Sequence, residues 1–127
     1  MRRNTKEREI VYNIIDKLGH ASTKQIIEAL KKEDISLATI YRNLTILLEE
    51  NKIKKIRVSA EEEIYETIKK AHFHFRCSIC KEIYDVDKSL IHIEIADNSN
   101  LKNAEIGEHD IVFYGICPNC KKKMEEN

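Results

Sequence analysis

The chain has 127 residues, 35% of them charged, and its 22 Lys+Arg balance 22 Asp+Glu. No apolar run approaches the roughly 18 residues that span a bilayer, and residues 1–4 lack the apolar stretch of a signal peptide, so a globular, cytoplasmic protein with no membrane partner is expected. The neutral total conceals an asymmetry, since residues 1–58 carry 13 basic against 8 acidic side chains and residues 59–127 carry 9 against 14, which predicts a polyanion partner for the front half only.

Thr5 is placed to cap a first helix with an apolar stripe of Ile10, Val11, Ile14, Ile15 and Leu18, ending at Gly19. Ser22 and Gln25 form a capping box that opens a second helix with Ile26, Ile27 and Leu30 inward. Ser36 caps a third, over 37–50, with Leu37, Ile40, Leu44, Leu47 and Leu48 buried. Two β-rich runs, 53–58 and 64–67, read as a hairpin with a polar tip.

Three helices followed by a hairpin make a winged helix-turn-helix, whose third helix enters the major groove of DNA. Thr39, Tyr41, Arg42 and Thr45 lie opposite the leucines and offer one cation and several neutral hydrogen-bonding groups. Lys52, Lys54, Lys55 and Arg57 are expected along the DNA backbone. The plainer alternative is a packing module with a solvated basic face.

The back half holds all four cysteines as two CxxC pairs, Cys77/Cys80 and Cys117/Cys120, with 36 residues between the pairs. Two such bites complete the tetrahedral sulfur cage of a structural zinc ion and leave no cysteine for catalysis. A two-disulfide framework is the competing reading, and no secretory segment supports it. His72 and His74 occupy alternate positions of the run 71–77, so both imidazoles share one strand face. Asp85 falls in a strand, 82–86, that pairs with it across the cysteine knuckle. Glu66 sits at the hairpin end and His20 in the turn after the first helix. Together these five are a nitrogen and oxygen donor set suited to Fe²⁺, Mn²⁺, Co²⁺ or Zn²⁺. Singly, His20 also reads as a helix-dipole partner and the two carboxylates as surface groups.

On four stretches the chain resembles the ferric uptake regulator (Fur) family of metal-dependent repressors: residues 3–8, 36–44, 72–80 and 114–120. The resemblance implies an α+β protein with a winged-helix DNA-binding domain over 1–67. It also implies a small α/β dimerisation domain over 68–127, stapled by the four-cysteine zinc site. It assigns the regulatory metal, Fe²⁺ or Mn²⁺, to His20, Glu66, His72, His74 and Asp85, and DNA contacts to Thr39, Tyr41 and Arg42. It further implies a homodimer on a palindromic operator, with no small-molecule substrate and no enzymatic activity.

Asp85 is similar to the peroxide-stress (PerR) branch, in which iron-dependent oxidation would fall on His20 or His72, whereas Glu66 is less typical of that branch. Iron-uptake control ranks second, and zinc or manganese control last. The family often carries an earlier N-terminal helix, whose DNA contacts are expected to be missing here. A further family metal site falls on Ala71, Phe73, His92 and His109; the first two cannot ligate, so the histidines are expected to be surface groups. The resemblance favours a helix over 89–100, where the isoleucines also alternate as in a strand. A strand over 111–116 and a terminal helix over 119–126 complete the expectation. Two readings of other classes remain: a zinc hydrolase built on His72 and His74, and a zinc-ribbon adaptor.

Overall fold

The computed structural model describes residues 5–107 and 109–126. The first two residues of the stretch 3–8, and the start of the chain, lie outside them. The chain divides into two compact units, one ending at Lys69 and the other beginning at Lys70.

In the first unit, helix α1 (Lys6–Leu18) begins where Thr5 Oγ1 accepts from the Arg8 N–H. It stops at Gly19, whose φ of 79° and ψ of −66° suit a residue without Cβ. Strand β1 (Ala21–Ser22) leads into α2 (Thr23–Ala29) through the expected capping box. Ser22 Oγ accepts from the Gln25 N–H, and Gln25 Oε1 accepts from the Ser22 N–H. Such a cap is worth about 1 kcal/mol. Helix α3 (Leu37–Glu49) opens on Ser36, which accepts from the Thr39 N–H.

Strands β2 (Ile53–Ile56) and β3 (Ile64–Thr67) form the antiparallel wing, and β1 adds to the far edge of β3 in the order β1-β3-β2. Val11, Ile15, Ala21, Ile26, Ile40, Leu44, Leu47 and Ile53 close a core that binds helices to wing. Each large aliphatic member contributes roughly 1.5–3 kcal/mol by leaving water.

Two details of the expected stripes are corrected. Leu37 is 54% exposed, because the first turn of α3 projects past the core. Leu18 is also exposed, at the last turn of α1. The buried polar position instead is Asn43, whose Oδ1 accepts from Arg8 Nε at 3.3 Å and ties α3 to α1. The wing strand β2 is also shorter than expected, ending at Ile56.

The second unit is a three-stranded sheet ordered β5-β4-β6, from β4 (His72–Cys77), β5 (Ile83–Asp87) and β6 (Val112–Gly115), followed by α4 (Pro118–Glu125). Strand β4 pairs antiparallel with β5 and parallel with β6. Gly115 lets β6 close on Phe75, for an added Cβ would lie 3.3 Å from the ring.

The helix expected over 89–100 is absent. A single 3-10 turn, Lys88–Leu90, gives way to irregular chain. Ile91, Ile93 and Ile95 are β-branched, and Asn98, Ser99 and Asn100 compete for backbone hydrogen bonds. With Leu90, Ile93 and Ile95 exposed, no buried face compensates for weak propensity. Among the described residues, one small cluster of this unit gathers Cys77, Cys117 and Cys120, with Phe75 and Tyr84 against them, and Phe73 is buried as well. A cluster built on three cysteines is one that a metal staple would hold together.

Candidate metal centres and nucleic-acid interface

The four cysteine sulfurs lie within 4.8 Å of one another. Cys80 Sγ and Cys117 Sγ are 3.8 Å apart, far beyond a disulfide and equal to the edge of a tetrahedron with metal–sulfur bonds of about 2.3 Å. The knuckles are built for thiolates. Cys77 Sγ accepts from the N–H groups of Ile79, Cys80 and Cys117, and Cys117 Sγ accepts from that of Cys120.

These donors, the Cys117 N–H foremost, draw the Cys77 thiol down to about 6. Cys117 is lowered first by the Tyr84 hydroxyl and then by the Cys120 N–H. Burial pushes Cys120 up to about 12. At Cys80 the Glu82 N–H pulls downward, but desolvation and the Cys77 sulfur outweigh it and the thiol ends raised. Two sulfurs are shifted toward the thiolate and two toward the thiol. That donor set fits a divalent, sulfur-preferring ion such as zinc.

A second donor set in the same unit is harder. The antiparallel register sets His74 directly opposite Asp85. His72 Nε2 stands 3.1 Å, and His74 Nε2 3.9 Å, from Asp85 Oδ1, and the two rings meet edge to face at 4.6 Å. The imidazoles are buried and the carboxylate is more open, with 38% of its side chain exposed. His72 Nδ1 lies 2.7 Å from the Lys70 carbonyl oxygen. Donation to that carbonyl orients the ring and leaves the Nε2 lone pair for a ligand. Separations of roughly 3–4 Å are those of donors sharing one ion with bonds of about 2.0–2.2 Å. In the first unit, His20 Nε2 approaches Glu66 Oε1 at 3.9 Å, and Glu66 is fully buried.

The outer face of α3 carries the expected DNA-reading residues. Tyr41, Arg42 and Thr45 are exposed and Thr39 is half-buried. Arg42 Nη2 donates to Thr39 Oγ1 at 3.4 Å, and Thr39 Oγ1 also accepts from Ser36 Oγ at 2.9 Å. An open cleft that includes Thr5, Arg8, Ser36, Thr39 and Arg42 runs along the N-terminal ends of α1 and α3. Two of the wing lysines lie near carboxylates of the wing itself. Lys54 Nζ turns to Glu66 Oε2 at 3.9 Å. Lys55 Nζ lies 3.4 Å from Glu63 Oε1 and over the Tyr65 ring.

The antiparallel register of β2 and β3 sets Lys54 opposite Glu66, a pairing that a hairpin over 53–58 and 64–67 allows without fixing. His92 and His109 are exposed, as expected. His109 packs beside Phe73, and no further donor cluster forms among the described residues. No helix among those residues is long and apolar enough to cross a membrane.

The sequence pattern of the Ferric uptake regulator family matches residues 2–114. The chain is 27% identical to the ferric uptake regulation protein of Campylobacter upsaliensis, over 95% of this chain and 81% of that protein. It is 23% identical to the peroxide operon regulator of Bacillus subtilis, over 90% and 80% respectively. Among solved structures, the ferric uptake regulator Fur of Helicobacter pylori superposes with a TM-score of 0.70 at 25% identity, covering 94% of this chain and 82% of that one.

Proposed function

The chain belongs to the ferric uptake regulator family, and on that premise we propose a dimeric repressor that reads an operator only when a regulatory divalent ion is held by His20, Glu66, His72, His74 and Asp85. The observation that carries this reading is the pair of histidines on one strand face sharing an Asp85 oxygen, buried and pre-oriented, beside a separate sulfur cage. Chemistry divides the labour: four sulfurs suit a permanent zinc ion, whereas three imidazoles and two carboxylates suit reversible Fe²⁺ or Mn²⁺.

Held by all five side chains, the regulatory ion would supply a charge that ligands from both units share. His20 and Glu66 belong to the helix-and-wing unit; His72, His74 and Asp85 belong to the sheet unit. Ligands drawn from both make one arrangement of the units more stable than others. Tyr41 and Arg42 then meet base edges and phosphates at a spacing set by a partner copy, which accounts for a palindromic operator. Apolar side chains support that partner: Leu90, Leu101, Ile106, Tyr114 and Ile116 are each more than 40% exposed in the second unit. The same chemistry argues against a hydrolase, since five protein ligands leave little room for an activated water and a substrate together.

Within this reading the chain senses peroxide. Asp85 supports that branch, as does the match to a peroxide regulator; Glu66 and the ferric uptake relatives support iron-uptake control as the second reading. Bound Fe²⁺ would supply the redox chemistry that cleaves hydrogen peroxide, the net two electrons coming from a ligand imidazole, so that one peroxide oxygen enters the ring and the other leaves as water. His20 and His72 offer the imidazoles that take up the oxygen. Mass spectrometry of the Fe²⁺ and Mn²⁺ forms after peroxide should find one added oxygen on His20 or His72 in the iron form only, with loss of operator binding. Unmodified histidines and retained binding in the iron form would assign the chain to iron-uptake control.

A further inference from the structure

Lys54 and Lys55 are consecutive, yet the wing turns them to opposite faces, as alternation along a strand requires. Lys55 engages Glu63 and the Tyr65 ring. Lys54 lies directly across the β2–β3 ladder from Glu66, and its Nζ stands 3.9 Å from Glu66 Oε2. His20 Nε2 stands 3.9 Å from the other oxygen, Oε1. One carboxylate therefore presents one oxygen to an imidazole and the other to an ammonium. Glu66 has 0% of its side chain exposed, and Lys54 keeps 35%.

A buried carboxylate is costly unless a counter-charge accompanies it. From this geometry we infer that Lys54 sets the threshold of the regulatory site, as a built-in cation that competes with the divalent ion for Glu66. The inference rests on the reading of Glu66 as a ligand. In the metal-free protein the ammonium neutralises Glu66 and stabilises the wing. When an ion is ligated by Glu66, the ammonium becomes a like charge a few ångströms away, and repulsion at that range is strong in a buried setting. The partly exposed four-carbon stem gives Lys54 a route out, since Nζ can swing into water while the methylenes stay packed. The site accordingly fills, but only at a concentration high enough to displace the ammonium. That is the property a sensor needs to stay empty at low metal.

The test is calorimetric titration of Mn²⁺ into the zinc-loaded protein, with thermal melts of the Mn²⁺-free form. Lys54→Met should bind Mn²⁺ at least about tenfold more tightly than wild type and melt at a lower temperature without Mn²⁺. Lys54→Arg, which keeps the charge, and Lys55→Met, on the other face, should stay within about threefold of wild-type affinity. Lys54→Gln serves as the charge-removing variant should Lys54→Met fail to fold. Unchanged or weaker Mn²⁺ binding in the charge-removed variant, with binding lost in Glu66→Gln, would overturn the role of Lys54 and leave Glu66 as a ligand. Wild-type binding in Glu66→Gln would remove the ligand assignment, and the threshold role with it.

Discussion

Gly19 controls how His20 leaves the first helix. Its φ of 79° and ψ of −66° lie where a Cβ is strained, although nothing stands within 4 Å of that position. The cost of a side chain there is conformational, not steric crowding by neighbours. Gly19→Ala should destabilise the protein by about 1–2 kcal/mol in urea unfolding; an unchanged midpoint would show that the turn relaxes freely. Arg42 makes a different kind of contribution. Its guanidinium is exposed and donates to Thr39 Oγ1 at 3.4 Å, a long bond that leaves it adaptable. Arg42→Ala should weaken operator binding by roughly 1–3 kcal/mol while the melting temperature and both metal contents stay as in wild type. Binding equal to wild type would remove Arg42 from the interface.

Among the elements, the cysteine knuckles carry the sharpest electrostatic consequence. Zinc takes four thiolates, and here Cys77 and Cys117 are lowered while Cys80 and Cys120 are raised. Zinc loading near neutral pH should therefore release fewer than four protons, since Cys77 is already largely ionised there. Calorimetry in buffers of different ionisation enthalpy measures that number, and a release of four would contradict the hydrogen-bond account. The sign follows from the lowered groups. Cys77 loses its charge as pH falls through about 6, so zinc affinity declines and the proton count rises across that window.

Elements were legible in the sequence where their causes are local. The caps at Thr5, Ser22 and Ser36 and the stop at Gly19 each depend on residues within one turn. The alternation that sets His72 and His74 on one face is likewise local. What escaped the sequence depends on distant partners. Asn43 is buried because Arg8, 35 positions away, meets it across two helices. Lys54 faces Glu66 because of strand register, which a one-residue slip would invert. The segment 89–100 carried both periodicities, and neither pattern found a surface to bury against within the described residues.

At the scale of the whole molecule, function rests on linkage between two binding events. If the regulatory ion favours the operator-reading arrangement, operator must favour the ion by the same factor. On the proposed reading the four-sulfur cage stands apart from this linkage, since it shares no residue with the sensing set. His74→Ala separates the two roles, since it deletes an imidazole of the hard set and leaves every sulfur in place. The most direct test measures operator affinity of zinc-loaded wild type and His74→Ala, each with and without Mn²⁺. The account requires tight binding by wild type only with Mn²⁺, and weak binding by His74→Ala in both conditions with zinc retained. Equal operator affinity with and without Mn²⁺ in wild type, or full Mn²⁺-dependent binding by His74→Ala, would contradict it.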